Sequence, residues 1–206
     1  MSANADPGIN PSVRSARPAD AAQAVPLLVE AINHLALKLS GADDHAGAVP
    51  FFARCFAARG NRYSHEHVLV LETDGEIAAA ILAYPGHDEA ALAAPVLTAC
   101  RARDPAADWR HEPESAADEF YLDALAVAPR HRGAGHAERL IEAACTRAAQ
   151  AGYDRVGLLV DLDKPGVKRL YARLGFVVDG ERRLAGHRYE HMSRAPVPRD
   201  EARPSG

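Results

Sequence analysis

The stretch that most restricts the fold is "EFYLDALAVAPRHRGAGHAERL", residues 119–140. It opens with a run that is apolar on both faces, where Phe120, Leu122, Ala124 and Ala126 alternate with Tyr121, Leu125 and Val127. A strand of that composition has to be covered on both sides, so it belongs inside a sheet. Asp123 interrupts the second face, and a carboxylate there needs a partner or a function. A helix follows almost at once, with Ala137, Leu140, Ile141, Ala144 and Ala148 facing inward and Gly152 stopping it.

The connection is Arg130-His131-Arg132-Gly133-Ala134-Gly135, leading into His136. A helix start exposes unpaired N–H groups and partial positive charge, which favour an anion. Glycines let a ligand approach the backbone, and Arg130 and Arg132 suit a pyrophosphate. Taken alone, the turn leaves an anion site and a solvated basic turn both open. Two nucleotide motifs are excluded. A phosphate-binding Walker loop needs lysine and a hydroxyl residue after its last glycine, whereas Gly135 is followed by His136 and Ala137. A dinucleotide fingerprint needs a third glycine, where this chain has Glu138, and an acidic strand end, whereas Asp154 begins the next strand.

The other elements are read from periodicity. A short strand is expected near Val13–Ala16. A helix capped by Asp20 follows, with Val25, Leu28, Ile32, Leu35 and Leu39 at helical spacing. "AVPFFARCFAARG" predicts a second helix ended by Gly60, and Asp74-Gly75 between two apolar runs predicts a hairpin. A helix is expected from Asp88 to about Arg101, then a polar loop through residue 118. After the central unit come a strand (about 155–161), a helix (about 165–174) and two last strands around "FVVDGERR" and "HRYEHMS". This order predicts an α/β fold with a mixed central sheet and helices on both faces. One domain is expected over residues 12–194, with mobile tails at 1–11 and 195–206.

Net charge is -4 and the pI about 6.2, so neither nucleic acid nor an anionic membrane is an expected partner. No apolar run reaches membrane-spanning length and the first thirty residues lack a secretory pattern, so a cytoplasmic protein is expected. Cys55, Cys100 and Cys145 form no CxxC pair; Cys145 reads as core packing. Of the ten histidines, the pairs His65/His67 and His187/His191 have same-face spacing. No carboxylate or cysteine close in sequence completes a ligand set, and no metal is expected. Trp109 and Tyr84 are possible borders of an acceptor pocket.

"RHRGAG", directly after a central strand and opening a helix, resembles the signature of the GNAT superfamily of acyl-CoA N-acyltransferases. That signature is Arg or Gln, two residues, Gly, one residue, then Gly or Ala. "DKPGVKRLYARLGF", residues 163–176, is similar to the family's later helix, which ends in Leu-Tyr, three residues, Gly-Phe. The resemblance covers roughly residues 12–194. It implies a sheet splayed in a V between the strands at 119–127 and 155–161, with acetyl-CoA as co-substrate in the gap. Leu125, Ala126 and Val127 would lie along the pantetheine, and Arg130, His131, Arg132, Gly133, Ala134, Gly135 and His136 around the pyrophosphate. A small-molecule or peptide amine would attack the thioester directly, with Tyr171 protonating the leaving thiolate. Dimerisation is common in such proteins. A non-catalytic acyl-CoA-binding module, or transfer of another acyl group, is the alternative.

Two positions depart from the pattern. Lys164 stands where the later helix commonly begins with asparagine; Asp163 would then cap it, and Lys164 would reach the cofactor as a cation. Tyr121 stands where several family members carry a glutamate base. Asp123, sharing nominal parity with Leu125 as Glu119 does, is the candidate to relay the amine's proton. A bulge in the strand would change that parity.

Overall fold

The central strand of the sequence is the fourth of seven in a computed structural model that describes residues 11–184 and 186–196. Most of the expected tails, 1–11 and 195–206, lies outside the described residues. The strands are β1 (Ser12–Ser15), β2 (Val68–Thr73), β3 (Glu76–Pro85), β4 (Phe120–Val127), β5 (Val156–Asp161), β6 (Val177–Leu184) and β7 (His187–Arg194). They form one sheet in the order β1-β2-β3-β4-β5-β7-β6, parallel only between β4 and β5. Asp74 and Gly75 join β2 to β3 with φ of 53° and 76°, the left-handed pair that a two-residue hairpin turn requires.

Helices α1 (Ala21–Ile32), α2 (His34–Ser40), α3 (His45–Ala57) and α4 (Glu89–Arg103) share one apolar core with Tyr84, Tyr121 and Ala124. Helix α5 (His136–Gln150) and Tyr171 of α6 (Pro165–Arg173) bury the other face with Phe120, Leu122 and Leu158. The mixed sheet with helices on both faces is therefore as expected. Cys145 is buried on the inner face of α5, as core packing predicts. Among the described residues no helix is long and apolar enough to cross a membrane.

Three local readings are corrected. The single helix expected after Asp20 breaks at Asn33 (φ 57°, ψ -124°), a conformation that asparagine tolerates better than most residues. Asp20 makes no side-chain cap; its carboxylate is held by Arg14 at 2.7 Å instead. Asp163 does not cap α6 either, because Lys164 is the N-cap residue and Pro165 occupies the first turn. Pro165 has no N–H to satisfy, so the missing cap costs little.

Candidate active site

The site begins with a mismatch between two strands. β4 and β5 pair only over Phe120–Leu122 and Val156–Leu158. Further on, β5 keeps its partners in β7 while β4 keeps those in β3, and the two diverge. One edge of β4 from Asp123 onward is thus left without a β5 partner. A cleft of 380 Å³ opens at the divergence, and its walls include Asp123, Leu125, Lys164 and Tyr171. The ring of His187 lies 5.4 Å from that of His34, so the β6–β7 hairpin closes toward the α1–α2 corner.

The divergence coincides with a bulge. Leu82 pairs with Ala124 and Ala83 with Leu122, so Asp123 is the extra residue. An extra residue exchanges the faces beyond it. Tyr121, Ala124 and Ala126 therefore face the α1–α3 core, while Leu122, Leu125 and Val127 face α5. This corrects the strict alternation, under which Asp123 and Glu119 shared a face with Leu125. Asp123 turns to the Tyr121 side, where its Oδ2 accepts from Arg62 Nε at 2.6 Å and Tyr84 Oη at 2.8 Å.

Glu119 lies elsewhere, buried at the start of β4 against β5 and β7. His191 Nε2 is 3.0 Å from its carboxylate, and His191 Nδ1 is bonded to Asp179. Burial alone would lower the His191 pKa, but hydrogen bonds to Glu119 and Asp179 raise it above the ordinary imidazole value. The carboxylates that the local sequence did not supply for His191 thus come from distant segments. They build a charged structural cluster outside the cleft.

Around Asp123 stands a group that no local motif announces. Arg62, 6% exposed, pairs with Asp123, with Glu114 Oε1 at 2.5 Å and with Glu89 at 4.0 Å. Tyr121 Oη donates to Glu114 Oε2 at 3.3 Å. Glu89 in turn accepts from the backbone N–H groups of Glu114 and Ser115, which anchors the 104–118 loop. Trp109 of that loop lines the cleft with Glu114 and Arg62. Tyr84 reaches the cluster through its bond to Asp123 rather than as an isolated border residue.

Tyr171 lines the opposite wall, packed edge-on against Phe176 with ring centroids 5.6 Å apart. Its hydroxyl has no protein partner among the described residues, and burial pushes its pKa up to about 12. A phenol in that state keeps its proton at neutral pH and is available as a donor.

The basic turn joins the cleft at its edge, because Glu30 lines the cleft and also meets Arg132 at 3.3 Å. Gly133 and Gly135 have φ of 81° and 74°, and nothing lies within 4 Å of where a Cβ would stand. The first backbone bond of α5 runs from Arg139 N to Gly135 O, so earlier helical N–H groups are open to a ligand. Arg130 pairs with Glu76 and Arg132 with Glu30, both exposed. Exposed pairs of this kind contribute roughly 0–1 kcal/mol and exchange easily for phosphate. Burial and the nearby His131 and Arg139 lower the His136 pKa, and its buried Nδ1 lacks a partner among the described residues. Open turn, unpaired strand edge and cleft together form one continuous open surface running from the α5 N-terminus into the cleft.

Comparisons with known proteins agree with that geometry. Residues 36–176 match the acetyltransferase (GNAT) family. A solved structure described as an acetyltransferase is 31% identical over 90% of this chain and 99% of its own, with a TM-score of 0.73. An N-acetyltransferase from Staphylococcus aureus Mu50 is 20% identical over 89% of this chain and 100% of its own, with a TM-score of 0.71. An agmatine N-acetyltransferase mutant shares the fold at 15% identity and a TM-score of 0.56, over 90% of this chain and 99% of its own. None of the curated proteins compared with the chain matches it.

Proposed function

Because this chain belongs to the GNAT acetyltransferase family, we propose that it moves an acetyl group from acetyl-CoA to the primary amine of a small molecule or peptide. The reaction is direct, with both substrates bound. The observation that carries this reading is the cleft at the β4–β5 divergence, with an unpaired strand edge on one wall and the Tyr171 hydroxyl on the other.

Each residue then has a task its surroundings suit. The β4 edge at Leu125, Ala126 and Val127 offers backbone groups to the amides of the pantetheine arm, as a neighbouring strand would. Residues 130–136 offer N–H groups and two guanidinium ions to the pyrophosphate. Lys164, on the cleft wall, adds a third cation. The acetyl-CoA supplies the activated carbonyl. The acceptor nitrogen attacks it, the C–S bond breaks, and Tyr171 gives its proton to the departing sulfur.

Thermal or denaturant unfolding with acetyl-CoA, combined with thiol release over a panel of primary amines, tests the proposal. Acetyl-CoA at 100 times its dissociation constant should stabilise the fold by about 2.7 kcal/mol. No stabilisation would overturn the cofactor assignment. Stabilisation without thiol release from any amine would make the domain an acyl-CoA-binding module.

A further inference from the structure

Three carboxylates, those of Glu89, Glu114 and Asp123, converge on the single guanidinium of Arg62. None of the four side chains is more than 14% exposed. Among the described residues the only other basic side chain paired with the three carboxylates is His111, 3.9 Å from Glu89. Buried carboxylates in excess of their counter-ions are unfavourable, and either a proton or an incoming cation relieves them.

The three carboxylates are not equally held by donors, and the one held least is the best proton acceptor. Glu89 spends both oxygens on Glu114 N, Ser115 N and Ser115 Oγ. The Oδ2 of Asp123 accepts two strong donors, Arg62 and Tyr84. Glu114 is held by Arg62 on Oε1, but on Oε2 it has only the long 3.3 Å bond from Tyr121. Glu114 and Asp123 both stand in the cleft wall with Tyr171, and Asp123 is the more strongly held of the two.

We propose that Glu114 is the catalytic base of this site, and that the acceptor enters the cleft as a primary ammonium ion whose proton Glu114 removes. The inference rests on the acetyltransferase reading above. An ammonium supplies the positive charge that the cluster lacks. One proton then passes from nitrogen to the Glu114 carboxylate, leaving a neutral amine and a neutral acid. The nitrogen lone pair forms the C–N bond while the C–S bond breaks, and sulfur takes the Tyr171 proton. The second nitrogen proton restores Tyr171, and Glu114 releases its own to solvent. The sum is one amide, one thiol and one free proton.

The groups facing Glu114 set its titration. They are Arg62 and Tyr63 beyond α3, Tyr84 on β3, Glu89 on α4, Tyr121 and Asp123 on β4, and Tyr189 on β7, with His111 and Glu112 from its own loop. Burial raises its pKa and Arg62 pulls it back, but Asp123 and Glu89 add to the rise, so it stays above the ordinary carboxylate value. A weakly acidic carboxyl of that kind is suited to exchange protons with an amine.

The test is the pH dependence of kcat/KM for the full chain, with acetyl-CoA and agmatine, benzylamine and lysine methyl ester as probes. Glu114→Gln should lower kcat/KM roughly 10²-fold or more and abolish the acidic limb of the profile, with acetyl-CoA affinity unchanged. Glutamine keeps the size of Glu114 and an oxygen that can still accept from Arg62, so the variant should fold. If it does not, Tyr121→Phe serves. Losing its hydroxyl removes a donor to the carboxylate and should move the acidic limb to higher pH. Normal rate and an intact limb in Glu114→Gln, or an unmoved limb in Tyr121→Phe, overturn the role of Glu114 alone. Absence of thiol release by the wild type with every probe overturns the acetyltransferase reading itself.

Discussion

Arg62 Nε donates to Asp123 Oδ2 at 2.6 Å, joining the loop after α3 to the bulge that opens β4. The bond links the fold to the site. It holds the extra residue of β4 toward the α1–α3 core, and so decides which side chains beyond it face the cleft.

Replacing Arg62 by methionine should cost about 3–5 kcal/mol at neutral pH, because it leaves three buried carboxylates without their shared cation. The loss should shrink as pH falls and the carboxylates take up protons. Urea unfolding at neutral and acid pH measures both effects; a penalty independent of pH would mean packing, not charge, explains it.

Tyr171→Phe keeps the ring against Phe176 and removes only the hydroxyl. Turnover should fall by roughly 10²–10⁴-fold, with little change in acetyl-CoA affinity. Titration calorimetry beside steady-state kinetics separates the two quantities, and undiminished kcat would remove the acid role.

His191 links Glu119 to Asp179, and its pKa is raised in the folded state. Its contribution to stability is therefore fully present below the unfolded imidazole value of about 6.5 and is lost as pH rises through the higher folded value. His191→Gln should be less stable than wild type near pH 6, by about 3–5 kcal/mol, since Glu119 loses its buried partner. Above that range the difference should narrow. A constant difference across the window would show that the imidazolium is not what stabilises.

Gly157 on β5 faces the same carboxylate. A Cβ there would stand 2.1 Å from Glu119 Oε2. Gly157→Ala should displace Glu119 and destabilise the protein by about 1–3 kcal/mol or more, although alanine normally suits a strand no worse than glycine. Denaturant midpoints of Gly157→Ala, Glu119→Ala and the double variant give the check: Gly157→Ala should cost less in the Glu119→Ala background than in the wild type.

Much of the fold was legible in the sequence because its signals are local. Asp74-Gly75 carries its turn in two residues, and the two-sided apolarity of residues 120–127 marks a covered strand. The basic glycine turn and the Leu-Tyr-x-x-x-Gly-Phe run carried the family resemblance. The boundaries of α5 and β5 fall within a residue or so of the expected ones. The break at Asn33 was hidden, because Ile32 and Leu35 continue a helical spacing through it.

The charged groups of the site were not legible in the same way. Arg62 and Glu114 stand 52 residues apart, and Glu119 and His191 stand 72 apart. No periodicity or spacing records such partners; they meet only when β3, β4 and β7 are laid side by side. The bulge at Asp123 likewise depends on a register with β3 that the strand's own alternation contradicts. The sequence by itself determined the strand, the basic glycine turn and the tyrosine on the later helix, because each is written in neighbouring residues. Only the tertiary structure decided how each carboxylate at the cleft is held, because that depends on long-range pairing, on burial and on a shared guanidinium.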